Sequence, residues 1–168
     1  MGIFIEAESF KNLGGWGVDQ QSIRQMGSAY VIAHGNGIPV ADAETKIDVP
    51  EFGTWHVWVR TRDWTAIWER GSPGGVFQLL VNGTTLPTIL GTNGVKWDWQ
   101  KAGAVTLREG QTTLALHDLT GFAGRCDAIY LTKDATFAPP NGKEELAAFR
   151  DEELGIVLKD DPVEYDLV

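Results

Sequence analysis

Two carboxylates open the chemistry of this sequence. In GIFIEAESF, Gly2 to Phe10, Glu6 and Glu8 sit two apart in a run that otherwise reads as an apolar strand. Residues two apart in a strand share a face. Like charges on one face repel, so the pair calls for something positive, either a base such as Arg24 or Arg60 or a bound cation. A catalytic pair is the third reading, but it would need a cleft, and a strand at a sandwich edge offers none.

Other reactive groupings are missing. His34, His56 and His117 are scattered, with no pair at metal spacing. The single Cys126 excludes an internal disulfide and a multi-cysteine zinc site, and its place at a strand start reads as buried and inert. GSPGG, Gly71 to Gly75, is followed by no helix, which argues against a phosphate cradle. Asp63 and Glu69 resemble a hydrolytic pair only in type, with no companion signal. No catalytic residue is therefore assigned.

Composition narrows the partners. The 168 residues carry a formal net charge of -9, so phosphate backbones are repelled and nucleic acid is excluded as a partner. No apolar run approaches the roughly 20 residues that span a bilayer, so no membrane partner is expected. Seven tryptophans are many for one sandwich core and imply an exposed aromatic surface. Met1 leads almost directly into a strand with no leader-like segment, which leaves a cytoplasmic location and a removed leader equally open.

The elements that would position these groups are short. Strands are expected at Ile3–Glu8, Ser28–Ala33, Ala41–Val49, Thr54–Arg62, Val76–Val81, Thr84–Ile89, Ala104–Leu107, Thr112–His117 and Asp127–Thr132, separated by Gly, Pro, Asn and Asp clusters. This pattern predicts an all-β sandwich over residues 1–138. Asn82-Gly83 suits a type I′ hairpin turn. Trp55, Val57 and Val59 should face the core, with His56, Trp58 and Arg60 on the other face. Residues 139–168 read as a helix and acidic linker packed loosely on the sandwich. Asn141 is the expected N-cap, with Glu144 completing a capping box, and Leu146, Phe149 and Leu154 form the apolar face. Lys143 to Val168 hold nine acids and three bases. The closing DDPVEYDLV resembles a linker entering the first strand of a dinucleotide-binding unit, which would make a following domain a partner; an ordinary tail is the other reading.

FIEAESF, VPEFGTWHVWVRTRD and WDWQKAGAVTLREGQTTLALHDLTGFAGRCDAIYL occur in the order seen in carbohydrate-binding modules of families six and thirty-five, which this chain resembles over about residues 3–133. The resemblance implies a galactose-binding-like jelly roll that binds polysaccharide or oligosaccharide and is not itself an enzyme. It implies a structural calcium ion held by Glu6, Glu8 and Asp127, with backbone carbonyls from the Gln25–Ser28 turn. The string through LAAFR and EYDLV also resembles the N-terminal extension of bacterial FAD-dependent oxidoreductases of polysaccharide-degrading organisms. That implies a periplasmic or secreted parent, with no flavin or nucleotide in this part of it. The alternative function is then a docking domain for the flavin enzyme, with no glycan binding of its own.

In the resembling modules the ligand site lies in loops at one end of the sandwich. The matching stretches offer Trp64 and Trp68 in RDWTAIWERGSPGG, Trp97 and Trp99 in NGVKWDWQ, and Phe122 and Arg125 in LTGFAGRCD. Sugar rings pair an apolar face with a rim of hydroxyls, and aromatic platforms beside polar groups suit them. The glycan-binding reading expects the four tryptophans to line one groove. The docking reading expects a flat patch. Arg125 stands where the family often has a sugar-contacting Asn. Its planar fork suits a carboxylate or sulfate, so an anionic glycan is one reading and an ion pair with Asp118 is the other.

Overall fold

The computed structural model describes residues 2–20, 28–68 and 72–155. Arg24, Glu69, the carbonyls of residues 25–27 and the closing EYDLV lie outside them.

Among the described residues, ten strands and one α-helix follow in order: β1 Gly2–Glu6, β2 Gly17–Asp19, β3 Tyr30–His34, β4 Ala43–Val49, β5 Gly53–Thr61, β6 Phe77–Val81, β7 Thr84–Thr85, β8 Asp98–Leu107, β9 Gly110–Asp118, β10 Phe122–Thr132 and α1 Lys143–Glu153. They form two antiparallel sheets. The six-stranded sheet runs β2-β3-β10-β5-β8, with β1 also paired to β10, and the four-stranded sheet runs β4-β9-β6-β7. The opening strand lies beside the closing one, with Glu6 opposite Ala128. Along one side β10 pairs first with β3 and then with β1, and Asp127 sits where its register against β5 shifts.

The two-residue period explains both faces of each sheet. In β4, Ala43, Thr45, Ile47 and Val49 are buried while Glu44, Lys46 and Asp48 are exposed, as expected for a sheet with one wet face. In β5, Trp55, Val57 and Val59 enter the core between the sheets, against Phe77, Leu79, Leu114, Leu116, Ile129 and Leu131. His56, Trp58 and Arg60 take the other face, as the alternation predicts.

That other face is covered, and here expectation and structure part. α1 packs Leu146 and Phe149 onto Phe4, Trp58, Trp99, Ala128 and Tyr130, forming a second core. Phe4 meets Trp99 at 6.1 Å and Phe149 at 5.9 Å, both edge to face. Truncating so buried a residue as Leu146 costs about 2–5 kcal/mol. Glu153 Oε1 accepts hydrogen bonds from the Gly2 backbone N–H at 2.8 Å and the Tyr130 hydroxyl at 2.9 Å. Through Gly155 the tail is therefore part of the sandwich rather than a loose appendage.

Local signals were overridden at the helix ends. The N-cap is Gly142, without a side-chain cap. Asn141 is drawn away into tertiary bonds: its Oδ1 accepts from Arg60 Nε and its Nδ2 donates to the Trp97 carbonyl, both at 2.8 Å. Leu154 lies past the helix end and is exposed, while Arg150 takes the buried position instead. The largest boundary differences are the early starts of β8 at Asp98 and β10 at Phe122 and the short β7, Thr84–Thr85 in place of Thr84–Ile89; β2 was not anticipated. The Asn82-Gly83 turn is as predicted, with φ of 51° and 81° and Leu80 paired to Thr85.

Candidate functional site

At one end of the sandwich, three loops enclose an open cavity of about 500 Å³ lined by His34, Asn36, Gly37, Trp64, Gly121, Phe122, Ala123 and Arg125. Asp118, almost wholly buried at the end of β9, builds two of these loops. Its Oδ1 accepts from the Thr120 and Gly121 N–H groups and its Oδ2 from the Val40 N–H. Asp118 is thus saturated by backbone and does not pair with Arg125. Gly121 is obligatory here: its φ is +64°, and a Cβ would lie 2.0 Å from the Ile38 carbonyl oxygen. The Gly121 carbonyl in turn accepts from Gly35 and Gly37.

The third loop carries the aromatic wall. Asp63 Oδ1 accepts from the backbone N–H and hydroxyl of Thr65, which turns the chain after β5. Trp64 follows, and its Nε1 donates to the Phe122 carbonyl at 3.0 Å. Trp64 packs against Phe122 at 5.1 Å and edge-on to Trp68 at 5.4 Å. Trp68 is 59 % exposed and Phe122 36 %, so the cluster forms an apolar rim beside the cavity. The Arg125 guanidinium stacks over Trp64, with Cζ 5.1 Å from the ring centroid.

The four tryptophans do not share a groove. Trp64 lines the cavity and Trp68 extends its rim. Trp99 is only 8 % exposed, lies beneath α1 and donates from Nε1 to the Pro140 carbonyl at 3.0 Å. It belongs to the second core, because β8 begins at Asp98 and turns that side chain toward Phe4. Trp97 precedes the strand and packs on Tyr30 at 4.9 Å, outside the cavity lining. His34, Asn36 and Gly37 were not foreseen as lining. The Gly-Asn-Gly turn at residues 35–37, with Asn36 and Gly37 both at positive φ, was the available signal.

The opening carboxylates lie at a different place. β1 stops at Glu6, and Ala7–Ser9 form a 3-10 turn, so Glu8 reaches the cluster from the turn rather than from a strand face. Arg60 Nη1 donates to Asp127 Oδ2 at 2.9 Å and Ser28 Oγ to Asp127 Oδ1 at 2.8 Å. Arg150 Nε faces Glu6 Oε1 at 3.4 Å, as an ion pair without an aligned hydrogen bond. Arg150 Nη2 also reaches Ser28 Oγ at 3.3 Å. Glu8 Oε1 is buried without a partner, and its pKa is raised to about 7, first by burial and then by the charges of Glu6 and Asp127.

These side chains do not fit the three-acid calcium cage. Glu6 and Asp127 are already engaged by arginines, and Glu8 alone presents an unengaged buried oxygen. Among the described residues, no group of three or more His, Cys, Asp or Glu is arranged to hold a metal.

No protein-family model matches the chain, and no curated protein matches it in sequence. Solved structures do. The GH26-CBM35 β-(1,4)-mannanase of Podospora anserina superposes with a TM-score of 0.62 and 22% identity, over 82% of this chain and 29% of the mannanase. A family 35 carbohydrate-binding module of Clostridium thermocellum gives 0.61 and 14%, over 80% of this chain and 99% of the module. The family 35 module of Paenibacillus barcinonensis gives 0.60 and 22%, over 79% and 100%. The chain spans less than a third of the mannanase, but nearly all of each free-standing module is matched.

Proposed function

We propose that this domain, whose fold is the jelly-roll β-sandwich of these carbohydrate-binding modules, binds carbohydrate without acting on it, through the cavity of Trp64, Phe122 and Arg125. One observation carries this reading. An exposed aromatic rim stands beside a cavity whose wall also holds His34, Asn36 and Arg125, the pairing of apolar face and polar edge that a sugar ring needs. The stacked guanidinium of Arg125 favours an acidic glycan, polysaccharide or oligosaccharide, over a neutral one. Isothermal titration of the wild-type domain and of Trp64→Ala with neutral and acidic oligosaccharides tests it.

Docking against a flavin-dependent oxidoreductase domain is the second reading. The observation in its favour is that Ile67 and Trp68 are 58 % and 59 % exposed yet lie outside the cavity lining. Such a partner would mask them without entering the cavity.

For the acid cluster, arginine neutralisation with a proton on Glu8 is our reading, in place of a structural calcium ion. Three acids face two guanidiniums, and Glu8 is the uncompensated member.

A further inference from the structure

Arg60 and Arg150 are ion-paired with acids, whereas, among the described residues, Arg62 and Arg125 are not. Thr61 Oγ1 donates to the Arg125 carbonyl at 2.6 Å, which holds the end of β5 against β10. Arg62 follows directly, and the pairing of Cys126 with Thr61 sets it opposite Arg125 across the two strands. Among the described residues neither guanidinium makes an ion pair or a hydrogen bond, and the Nε of each is buried without a partner. Burial lowers both pKa values below the usual arginine range, and the charge of Arg62 adds to this at Arg125, while Asp63 and Asp19 oppose it from a distance.

The nearby acids are occupied. Asp63 turns its Oδ1 to Thr65, and Asp19 Oδ2 accepts from the Tyr30 hydroxyl at 3.0 Å. A chain with 23 acids and 14 bases has carboxylates to spare, so scarcity does not explain two adjacent unpaired guanidiniums. Leaving them half-buried and unpaired costs stability. Trp97, packed on the same Tyr30, holds a further buried donor without a partner at Nε1.

We propose that Arg62 and Arg125 form a two-arginine subsite for an oxyanion substituent, a carboxylate or a sulfate half-ester, carried by the glycan at the aromatic rim. It rests on the glycan-binding reading and adds Arg62 as its specificity-determining residue. The oxyanion sits between the two forks, relieves their repulsion and accepts from the terminal N–H groups of each, the Nε atoms being sealed from solvent. A neutral sugar offers no such acceptor charge.

The test is titration with four probes: sodium sulfate against sodium chloride at matched ionic strength, a galacturonate trisaccharide, a sulfated galactan oligosaccharide and its neutral counterpart. The acidic saccharides and inorganic sulfate should bind, with preference for carboxylate or sulfate identifying the source. Arg62→Met should weaken each about tenfold to a hundredfold, the loss of a charge-assisted hydrogen bond, and Arg62→Lys should restore part of it. Without any variant, wild-type affinity for the acidic probes should fall with added salt while affinity for the neutral one holds. Equal binding of neutral and acidic saccharides, unaffected by Arg62→Met or salt, overturns the subsite and leaves glycan binding standing. Arg62-dependent binding of inorganic sulfate with silence from every saccharide supports the subsite and overturns glycan binding. Silence from all four probes overturns both.

Discussion

Arg60 Nη1 lies 2.9 Å from Asp127 Oδ2, and both side chains are almost completely withdrawn from solvent. The pair locks β5 to β10 where the ladder register shifts. Through Arg60 Nε and Asn141 it also reaches the loop that leads into α1. One guanidinium thus ties the sheet to the helix that covers it.

Removing one partner strands the other. Arg60→Met should lose about 3–5 kcal/mol of unfolding free energy, because it leaves Asp127 buried and uncompensated. The double variant Arg60→Met with Asp127→Leu should lose less than the sum of the two single changes. Urea unfolding of the four proteins reads this directly; a single-variant loss under about 1 kcal/mol would contradict a buried pair.

Glu8 sets a pH dependence of known sign. Its folded pKa, about 7, lies above the ordinary 4.5, so the folded state holds the proton more tightly. Stability should therefore fall as pH rises from about 4.5 to about 7, with the full penalty present above 7. Glu8→Gln should raise the Tm at pH 8 and change it little at pH 4.5. An equal effect at both pH values would show that ionisation of Glu8 is not the cause.

Calcium should matter little. With Glu6 and Asp127 held by Arg150 and Arg60, addition of millimolar calcium or of a chelator should leave the Tm unchanged within about 1 °C. A ligand bound only by the folded state at a hundred times its Kd would add about 2.7 kcal/mol, readily visible in a thermal scan. A clear rise with calcium would show that a cation claims the free oxygen of Glu8.

The tryptophans separate into two classes. Trp99→Ala should cost about 3–5 kcal/mol through the cavity left beneath α1. Trp68→Ala, at an exposed rim, should stay within about 0.5 kcal/mol. Denaturant titration distinguishes the two, and the same result for both would contradict the division.

Much of the fold was legible because it follows from period two. The alternation of β5 and the Asn82-Gly83 turn each act locally, and each is found as read. The grouping of Glu6 and Glu8 with Asp127 that the resemblance implied already requires the first and last strands to be neighbours, as β1 and β10 are. Distant partners decided what was missed. Asn141 abandons the N-cap because Arg60 and Trp97 lie across the sheet, and Arg150 is buried because Glu6 waits beneath the helix. The glycan-binding reading put Trp97 and Trp99 in one groove with Trp64 and Trp68. The early start of β8 places Trp99 under α1, which spacing cannot reveal. At the cavity, Trp64, Phe122 and Arg125 meet, from loops that the resemblance, rather than spacing along the chain, had grouped. His34 and Asn36 arrive through backbone bonds to Gly121 that no side-chain motif announces.

The most direct measurement is isothermal titration of oligosaccharides, neutral and acidic, into the wild-type domain and Trp64→Ala, with a thermal scan confirming that both are folded. Saturable binding to the wild type that drops at least about tenfold in Trp64→Ala is the predicted result, in line with the cost of losing a stacked aromatic platform. No binding to the wild type across the panel, or binding that Trp64→Ala leaves intact, would contradict a glycan site at this rim.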